Sequence, residues 1–80
     1  MMERAEITQQ LRDILGLVLQ TELPADDVVR EEQKGWDSLR HVEIVFAVED
    51  AFAVQLSQDE MEAATSLSRL VDIVESHLAS

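Results

Sequence analysis

The chain has 80 residues, of which 17 are acidic and 6 are basic, and its formal net charge is −11. A chain of this length forms one domain with a small core, so we expect a single domain over residues 1–80. So strong a negative charge argues against nucleic acid and anionic membranes as partners, because both would repel it. The sequence contains no cysteine, which excludes disulfides and thiolate metal sites, so any thiol chemistry must come from an added group.

The N-terminal sequence has neither the basic start nor the apolar run of a signal peptide. The longest apolar run, residues 44–48, is too short to span a bilayer. We therefore expect a cytoplasmic protein. We also expect the protein to be a monomer.

Apolar residues near the N-terminus follow the spacing of one helical stripe, which predicts a first helix ending near Gln20. The stripe consists of Ile7, Leu11, Ile14, Leu15 and Val18. Gly16 interrupts it at a cost of roughly 1 kcal/mol. Residues 21–36 then form a long loop, of a length that is usually functional in a compact domain. The residues available to attach this loop to the core are Leu23, Val28, Val29 and Trp36.

A second helix is predicted over residues 38–52, capped by Asp37 or Ser38. At about 100° per residue, the centre of its apolar side consists of Val42, Val45, Val48 and Phe52. The flanks of that side are Leu39, Phe46 and Ile44. The opposite side carries Arg40, Glu43, Ala47 and Asp50. Glu49 projects toward the apolar side, where we expect it to tie the long loop to the helix.

Two further helices complete the predicted fold. Ser57 and Glu60 have the spacing of a capping box and predict a short third helix ending at Glu62 or Ala63. Thr65 or Ser66 caps a fourth helix. The apolar residues of the fourth helix are Leu67, Leu70, Val71, Val74 and Leu78. No convincing strand is found, so the predicted fold class is all-α, a four-helix bundle with a long loop between helices 1 and 2 and a short third helix.

The segment Gly35-Trp36-Asp37-Ser38-Leu39 is the most informative motif of the chain. It places the Ser38 hydroxyl at a helix N-terminus, where a phosphate is favoured electrostatically. An Asp-Ser pair alone is a common helix cap. Here the pair stands near mid-chain, and the predicted elements follow the order long helix, long loop, long helix, very short helix, helix. In this combination the chain resembles the acyl carrier protein family, in which the serine of an Asp-Ser-Leu motif receives 4'-phosphopantetheine.

The resemblance implies a carrier without catalytic residues of its own. Ser38 would receive the arm from coenzyme A, and the thiol of the arm would carry cargo as a thioester. Asp37 would help to hold the Mg²⁺ of the transferase complex during transfer. The implied partners are a phosphopantetheinyl transferase, an acyl- or aminoacyl-loading enzyme, and downstream synthase or transferase enzymes with basic docking patches. We expect them to recognise the polar ridge of Arg40, Glu43, Ala47 and Asp50.

Two positions depart from the pattern of the fatty-acid carriers. Those proteins usually have an acidic residue after Asp-Ser-Leu and a small residue before the aspartate, where this chain has Arg40 and Trp36. We therefore expect a specialised carrier for a fatty-acid, polyketide or other pathway. Two alternatives remain: an aminoacyl or peptidyl carrier of a non-ribosomal-peptide-like pathway, and an unmodified acidic adaptor subunit.

Other candidate sites are weaker. A hydrolytic triad of Asp37, Ser38 and His41 is rejected, because three residues within one helical turn cannot align as orienter, nucleophile and base. His41 is expected to be a partly buried structural residue. Phe46 is expected either to fill part of an acyl-chain cleft or to enlarge the core. The acidic loop residues Asp26, Asp27, Glu31 and Glu32 match no calcium-loop spacing, so we predict a solvated loop and no metal site.

Overall fold

The computed structural model describes residues 2–79 and contains four α-helices over that range. They are α1 (Arg4–Leu19), α2 (Ser38–Phe52), α3 (Gln58–Ala63) and α4 (Leu67–Ala79). A 3₁₀ turn (Arg30–Glu32) lies in the long loop between α1 and α2. Within the described residues the β structure amounts to an isolated bridge between Val29 and Ser66. The predicted all-α fold with a long first loop and a short third helix is confirmed.

Helix α1 is continuous and forms the centre of the bundle, packing against both α4 and α2. Its buried stripe consists of Ile7, Leu11, Leu15 and Leu19. Gly16 does not break the helix, and a Cβ added there would meet nothing within 4 Å. The helix ends where Gln20 adopts a left-handed conformation with φ of 52° and donates its N–H to the Gly16 carbonyl. The predicted C-terminus is therefore confirmed to within one residue, and the predicted stripe is confirmed in part. Ile14 and Val18 are half-buried, and Leu19, which the prediction left out, is buried.

The long loop is fixed to the bundle by buried side chains and by the start of α4. Val28 and Trp36 are buried, as predicted, while Leu23 and Val29 are half-buried. The Val28 carbonyl accepts the Leu67 N–H at 2.9 Å, and the Arg30 N–H donates to the Thr65 carbonyl at 2.9 Å. These bonds hold the loop in one path across the N-terminus of α4.

The bounds of α2 agree with the prediction, and Asp37 is its cap. The predicted buried face is wrong in part. The buried residues are Ile44, Val45, Val48 and Phe52, so Ile44 belongs to the core and not to its edge. The exposed apolar residues are Leu39, Val42 and Phe46, with exposed fractions of 65%, 45% and 62%. Phe46 therefore neither enlarges the core nor fills a cleft.

Leu39, Val42 and Phe46 are exposed because the apolar side chains of α2 cover a wider arc than its neighbours can bury. Helix α2 packs chiefly against α1. The short helix α3 contributes no buried residue and does not cover the far side of α2. The buried side of α2 is therefore centred between Ile44 and Val45, and the side that begins at Leu39 faces solvent.

The ends of α3 and α4 are closed by side chains. Ser57 and Glu60 form both halves of the predicted capping box. Ser66 accepts the Arg69 N–H, so Ser66 and not Thr65 caps α4. Glu49 accepts the Leu56 N–H at 2.8 Å and thus holds the connection between α2 and α3, which corrects its predicted bond to the long loop.

Among the helices of residues 2–79, none combines the length and apolar character needed to cross a membrane.

Candidate functional site

Ser38 is the first residue of α2, and its side chain is exposed. The preceding residue, Asp37, closes the helix start because its Oδ1 accepts the Arg40 N–H at 2.9 Å. Once Asp37 has taken the cap position, Ser38 is not needed for it. The Ser38 hydroxyl makes no hydrogen bond to any other described residue between 2 and 79. The result is a solvent-facing hydroxyl at the positive end of a helix.

This arrangement fits a phosphodiester on Ser38. Free N–H groups and the helix dipole favour an anion at the N-terminus of α2. The Asp37 carboxylate uses one oxygen for the cap, and its Oδ2 has no partner among residues 2–79. That oxygen is available to a cation brought by a modifying enzyme.

Trp36 fixes the chain immediately before the site. Its side chain is only 3% exposed. Its backbone N–H donates to the Gln33 carbonyl at 3.0 Å, and its own carbonyl accepts the Arg30 Nε–H at 3.3 Å. Both backbone polar groups and the ring of Trp36 are thus held in place two residues before Ser38.

His41 lies one turn into α2, and both of its ring nitrogens are engaged. Nδ1 lies 3.0 Å from Trp36 Nε1, and Nε2 lies 2.7 Å from the Met61 carbonyl oxygen. An indole N–H only donates and a carbonyl only accepts, so Nδ1 accepts from Trp36 and Nε2 donates to Met61. The imidazole and indole rings stack, with centroids 6.1 Å apart and an interplanar angle of 26°. His41 is half-buried and structural, as predicted, and it is not aimed at Ser38 as a base.

The predicted ridge of α2 is present, with unequal exposure. Arg40 and Glu43 form an ion pair at 2.9 Å. Asp50 is exposed, whereas Ala47 is half-buried. The ridge is therefore most accessible at Glu43 and Asp50, since Arg40 is half-buried as well.

Sequence reasoning missed the exposed apolar stripe beside this ridge, which consists of Leu39, Val42 and Phe46. These residues recur at i, i+3 and i+7, so they form one continuous strip that starts next to Ser38. The signal that could have found them is the width of the apolar arc of α2, which exceeds what one neighbouring helix can cover. Exposed apolar strips of this kind are typical of protein interaction surfaces.

The acidic loop is only partly the solvated segment that was predicted. Asp27 is structural: its Oδ1 accepts the N–H groups of Val28 and Ser68 at 3.0 Å each. Its Oδ2 accepts the Ser68 hydroxyl at 2.9 Å. Asp26, Glu31 and Glu32 are exposed. Over residues 2–79 no group of three or more acidic, histidine or cysteine side chains is arranged to hold a metal ion.

Comparisons with known proteins agree with this geometry. The family model for the phosphopantetheine attachment site matches residues 5–74. The chain is 35% identical to acyl carrier protein 3 of Ralstonia nicotianae, over 99% of this chain and 93% of that protein. It is 34% identical to the acyl carrier protein of Rubrobacter xylanophilus, over 95% of this chain and 96% of that protein. The chain therefore belongs to the acyl carrier protein family: it is a carrier and not a catalyst, its cofactor is covalently attached 4'-phosphopantetheine, and it works with a phosphopantetheinyl transferase and biosynthetic enzymes.

Proposed function

We propose that Ser38 is the attachment residue and that residues 1–80 act as one monomeric carrier domain in the cytoplasm. The domain presents acyl intermediates to separate biosynthetic enzymes. The observation that carries the assignment is the exposed, unbonded hydroxyl of Ser38 at the first position of α2. The thiol at the end of the arm supplies the thioester link to the cargo.

In the modification step, Ser38 Oγ forms a new P–O bond with the phosphopantetheine phosphate of coenzyme A. The pyrophosphate bond of coenzyme A breaks, adenosine 3',5'-bisphosphate leaves, and the hydroxyl proton is lost to the transferase or solvent. Asp37 supports this step through Oδ2, which is free to bind the Mg²⁺ of the transferase complex while Oδ1 keeps the helix capped. The product phosphodiester then lies at the positive end of α2.

Partner enzymes recognise α2 through two adjoining surface features. The ridge of Arg40, Glu43, Ala47 and Asp50 supplies charge, and the strip of Leu39, Val42 and Phe46 supplies apolar contact. The matching enzyme surface is an apolar groove with a mainly basic rim, because the chain as a whole carries −11. Such an interface is small and salt-sensitive, as a carrier that must dissociate between steps requires.

We propose an acyl cargo, which the names of both relatives, acyl carrier proteins, support. We place the chain in a specialised fatty-acid, polyketide or related pathway. Arg40 puts a positive charge beside the arm, which weakens docking to a patch built for an acidic residue at that position. An aminoacyl carrier has no specific structural feature in its favour here.

Incubation with a phosphopantetheinyl transferase, coenzyme A and Mg²⁺ tests the attachment residue. The wild type should gain one phosphopantetheine mass, and Ser38→Ala should gain none. Ser68→Ala is the matched control, because Ser68 is also an exposed serine in the first turn of a helix. Modification of Ser38→Ala, or loss of modification in the folded control, contradicts the proposal.

A further inference from the structure

The apolar strip of Leu39, Val42 and Phe46 begins at the residue that follows Ser38 and runs along the exposed side of α2. Because its members recur at i, i+3 and i+7, the strip is about 10 Å long. Water in contact with such a surface is released when an apolar group covers it, and this release favours binding. The strip is therefore suited to an apolar group that is already held close to Ser38.

We infer that the strip is the resting surface of the cargo: in the free carrier, Leu39, Val42 and Phe46 hold the alkyl part of an acyl group attached through the arm on Ser38. This inference rests on the proposed attachment at Ser38. It also narrows the cargo to acyl groups with an alkyl chain of several carbons. An acyl group of two or three carbons has too little apolar surface to gain from the contact.

The tether brings the cargo within reach of the whole strip. The arm consists of two amide-linked units and is comparable in length to about four extended residues, or ~14 Å. The strip begins next to the attachment residue and ends at Phe46, about 12 Å from Ser38 along the axis of α2. The tether also raises the effective concentration of the cargo at the strip, so that even a weak apolar contact is populated.

The side of α2 that faces the core is occupied close to the attachment residue. His41 Nε2 donates to the Met61 carbonyl at 2.7 Å and thus joins α2 to α3, while Nδ1 accepts from Trp36. Further along the helix, Ile44 and Val48 are completely buried. An alkyl chain that entered between α2 and α3 would have to break the His41–Met61 bond and separate packed side chains. Contact with the open strip carries neither cost.

Two surface depressions lie near the start of α2, and charged side chains line both. One, of about 470 Å³, is lined by Val29, Arg30, Glu31, Trp36 and Thr65. The other, of about 360 Å³, is lined by Arg30, His41, Gln58, Met61 and Glu62. An alkyl chain that covered these charged groups would remove them from water without replacing their hydrogen bonds. The strip favours the alkyl chain because all three of its side chains are apolar.

The strip then serves the cargo and the partner enzymes in turn. A partner whose apolar groove covers Leu39, Val42 and Phe46 displaces the cargo from them, so docking and release of the cargo are coupled. Because such coupling is reciprocal, a longer alkyl cargo weakens docking of the partner.

Methyl NMR of the loaded carrier tests the inference. A transferase and the matching form of coenzyme A give the wild type an arm that bears an octanoyl group, an acetyl group or no acyl group, and mass spectrometry establishes the load. We expect the octanoyl group to shift the methyl signals of Leu39 and Val42 and to show cross-relaxation with the ring of Phe46. The acetyl group should leave these signals as they are with the bare arm. The core methyl signals of Ile44 and Val48 should keep their positions with every load.

A second readout is cleavage of the octanoyl thioester by hydroxylamine, which needs no partner enzyme. We expect Phe46→Ser to be cleaved about threefold faster than wild type, because cargo held on the strip shields the thioester; partial burial of one or two methylene groups is sufficient for this factor. Leu17→Ser is the matched control, because Leu17 is 78% exposed and lies on α1. It should be cleaved at the wild-type rate. The acetyl thioester should be cleaved at one rate in all three proteins.

Both substitutions are at exposed positions, so neither should alter folding, and far-UV circular dichroism checks this. Shifts of the core methyl signals would place the cargo inside the bundle and overturn the inference. Unshifted strip signals in the octanoyl-loaded protein, or equal cleavage rates for wild type and Phe46→Ser, overturn it as well. Failure of the attachment proposal looks different: a protein that takes no load, or takes it equally in Ser38→Ala, refutes the attachment and this inference together.

Discussion

The N-terminal turns of α2 and α4 are built from similar residues but use their serine hydroxyls differently. At α4, Ser66 caps the helix and the Ser68 hydroxyl donates to Asp27, so both hydroxyls close the structure. At α2, Asp37 caps the helix and the Ser38 hydroxyl has no partner among residues 2–79. A helix start needs an acceptor for its free N–H groups. At α2 the aspartate meets that need, which leaves the serine free for chemistry.

The two capping aspartates differ in the same way. Asp27 uses both oxygens, for Val28 and for two groups of Ser68. Asp37 uses Oδ1 alone. The contrast predicts that substitutions at α4 change stability, whereas substitutions at α2 change modification.

The largest expected effect is on the transfer rate of Asp37→Asn. Asn caps a helix about as well as Asp, so the Arg40 N–H keeps its acceptor, but the charged oxygen available to Mg²⁺ is lost. We expect modification to slow by about tenfold or more, with the free energy of unfolding within about 0.5 kcal/mol of wild type. The measurement is single-turnover transfer followed by mass spectrometry.

Asp27→Asn is the control for this prediction, because it makes the same chemical change at the other helix start. It should leave the transfer rate unaltered. A wild-type rate for Asp37→Asn would show that Asp37 is a cap alone.

Asp27→Ala should produce the largest loss of stability among the capping variants. It removes the acceptor for the start of α4 and for the last part of the long loop. We expect a cost of about 1–2 kcal/mol, which lowers Tm by roughly 4–8 °C per kcal/mol in a domain of this size. Urea unfolding and thermal scans measure it, and an unchanged midpoint would mean that buried Val28 alone holds the loop.

These helix starts were predictable from sequence because their chemistry is local. The Asp37-Ser38 pair and the Ser57–Glu60 spacing each contain cap and first turn within four residues, and both appear in the structure. Much of the apolar stripe of α1 could also be predicted, because one face of this helix packs against both α2 and α4. Local signals of this kind determine where a helix begins.

The buried face of α2 could not be predicted in the same way. Its apolar residues cover a wide arc, and which part is buried depends on where α1 lies and on how little α3 covers. Val42 was therefore placed in the core and Ile44 at its edge, the reverse of what is found. The bonds from Trp36 through His41 to Met61 join three separate segments, and no sequence spacing encodes such a set.

Charge reversal on the α2 ridge should have a moderate effect that depends on the partner. Glu43→Lys and Asp50→Lys should lower kcat/KM of a cognate loading enzyme several-fold at low salt, and the difference should shrink at physiological salt. Arg40→Asp should lower the cognate rate and raise turnover by general fatty-acid enzymes. All variants are compared with the same arm and cargo.

Asp13→Lys controls for the change in net charge, because Asp13 is an exposed acid on α1, away from the ridge. It should behave as wild type with both enzyme sets. If it impairs loading as much as Asp50→Lys does, overall charge and not the ridge governs docking.

The smallest expected effect concerns the start of α3, where the capping residue Glu60 is titratable. The N–H of Ser57 donated to Glu60 lowers the pKa of that carboxyl, and the hydrogen bond with His77 lowers this pKa further. A carboxyl with a lowered pKa in the folded state contributes stability above its unfolded pKa and loses it as the pH falls through the folded value. Glu60→Gln keeps the capping box but removes the charge.

We therefore expect Glu60→Gln to be less stable than wild type at pH near 7, by less than about 1 kcal/mol because the pair is largely solvated. The difference should close as the pH falls through the lowered pKa of Glu60, because the wild-type carboxyl then becomes protonated. Repeating the comparison in a His77→Gln background separates the two causes, since the part that remains there comes from Ser57. A stability difference that stays constant from pH 7 until the acid unfolding transition would show that Glu60 contributes through its shape alone and that its charge does not hold α3 to α4.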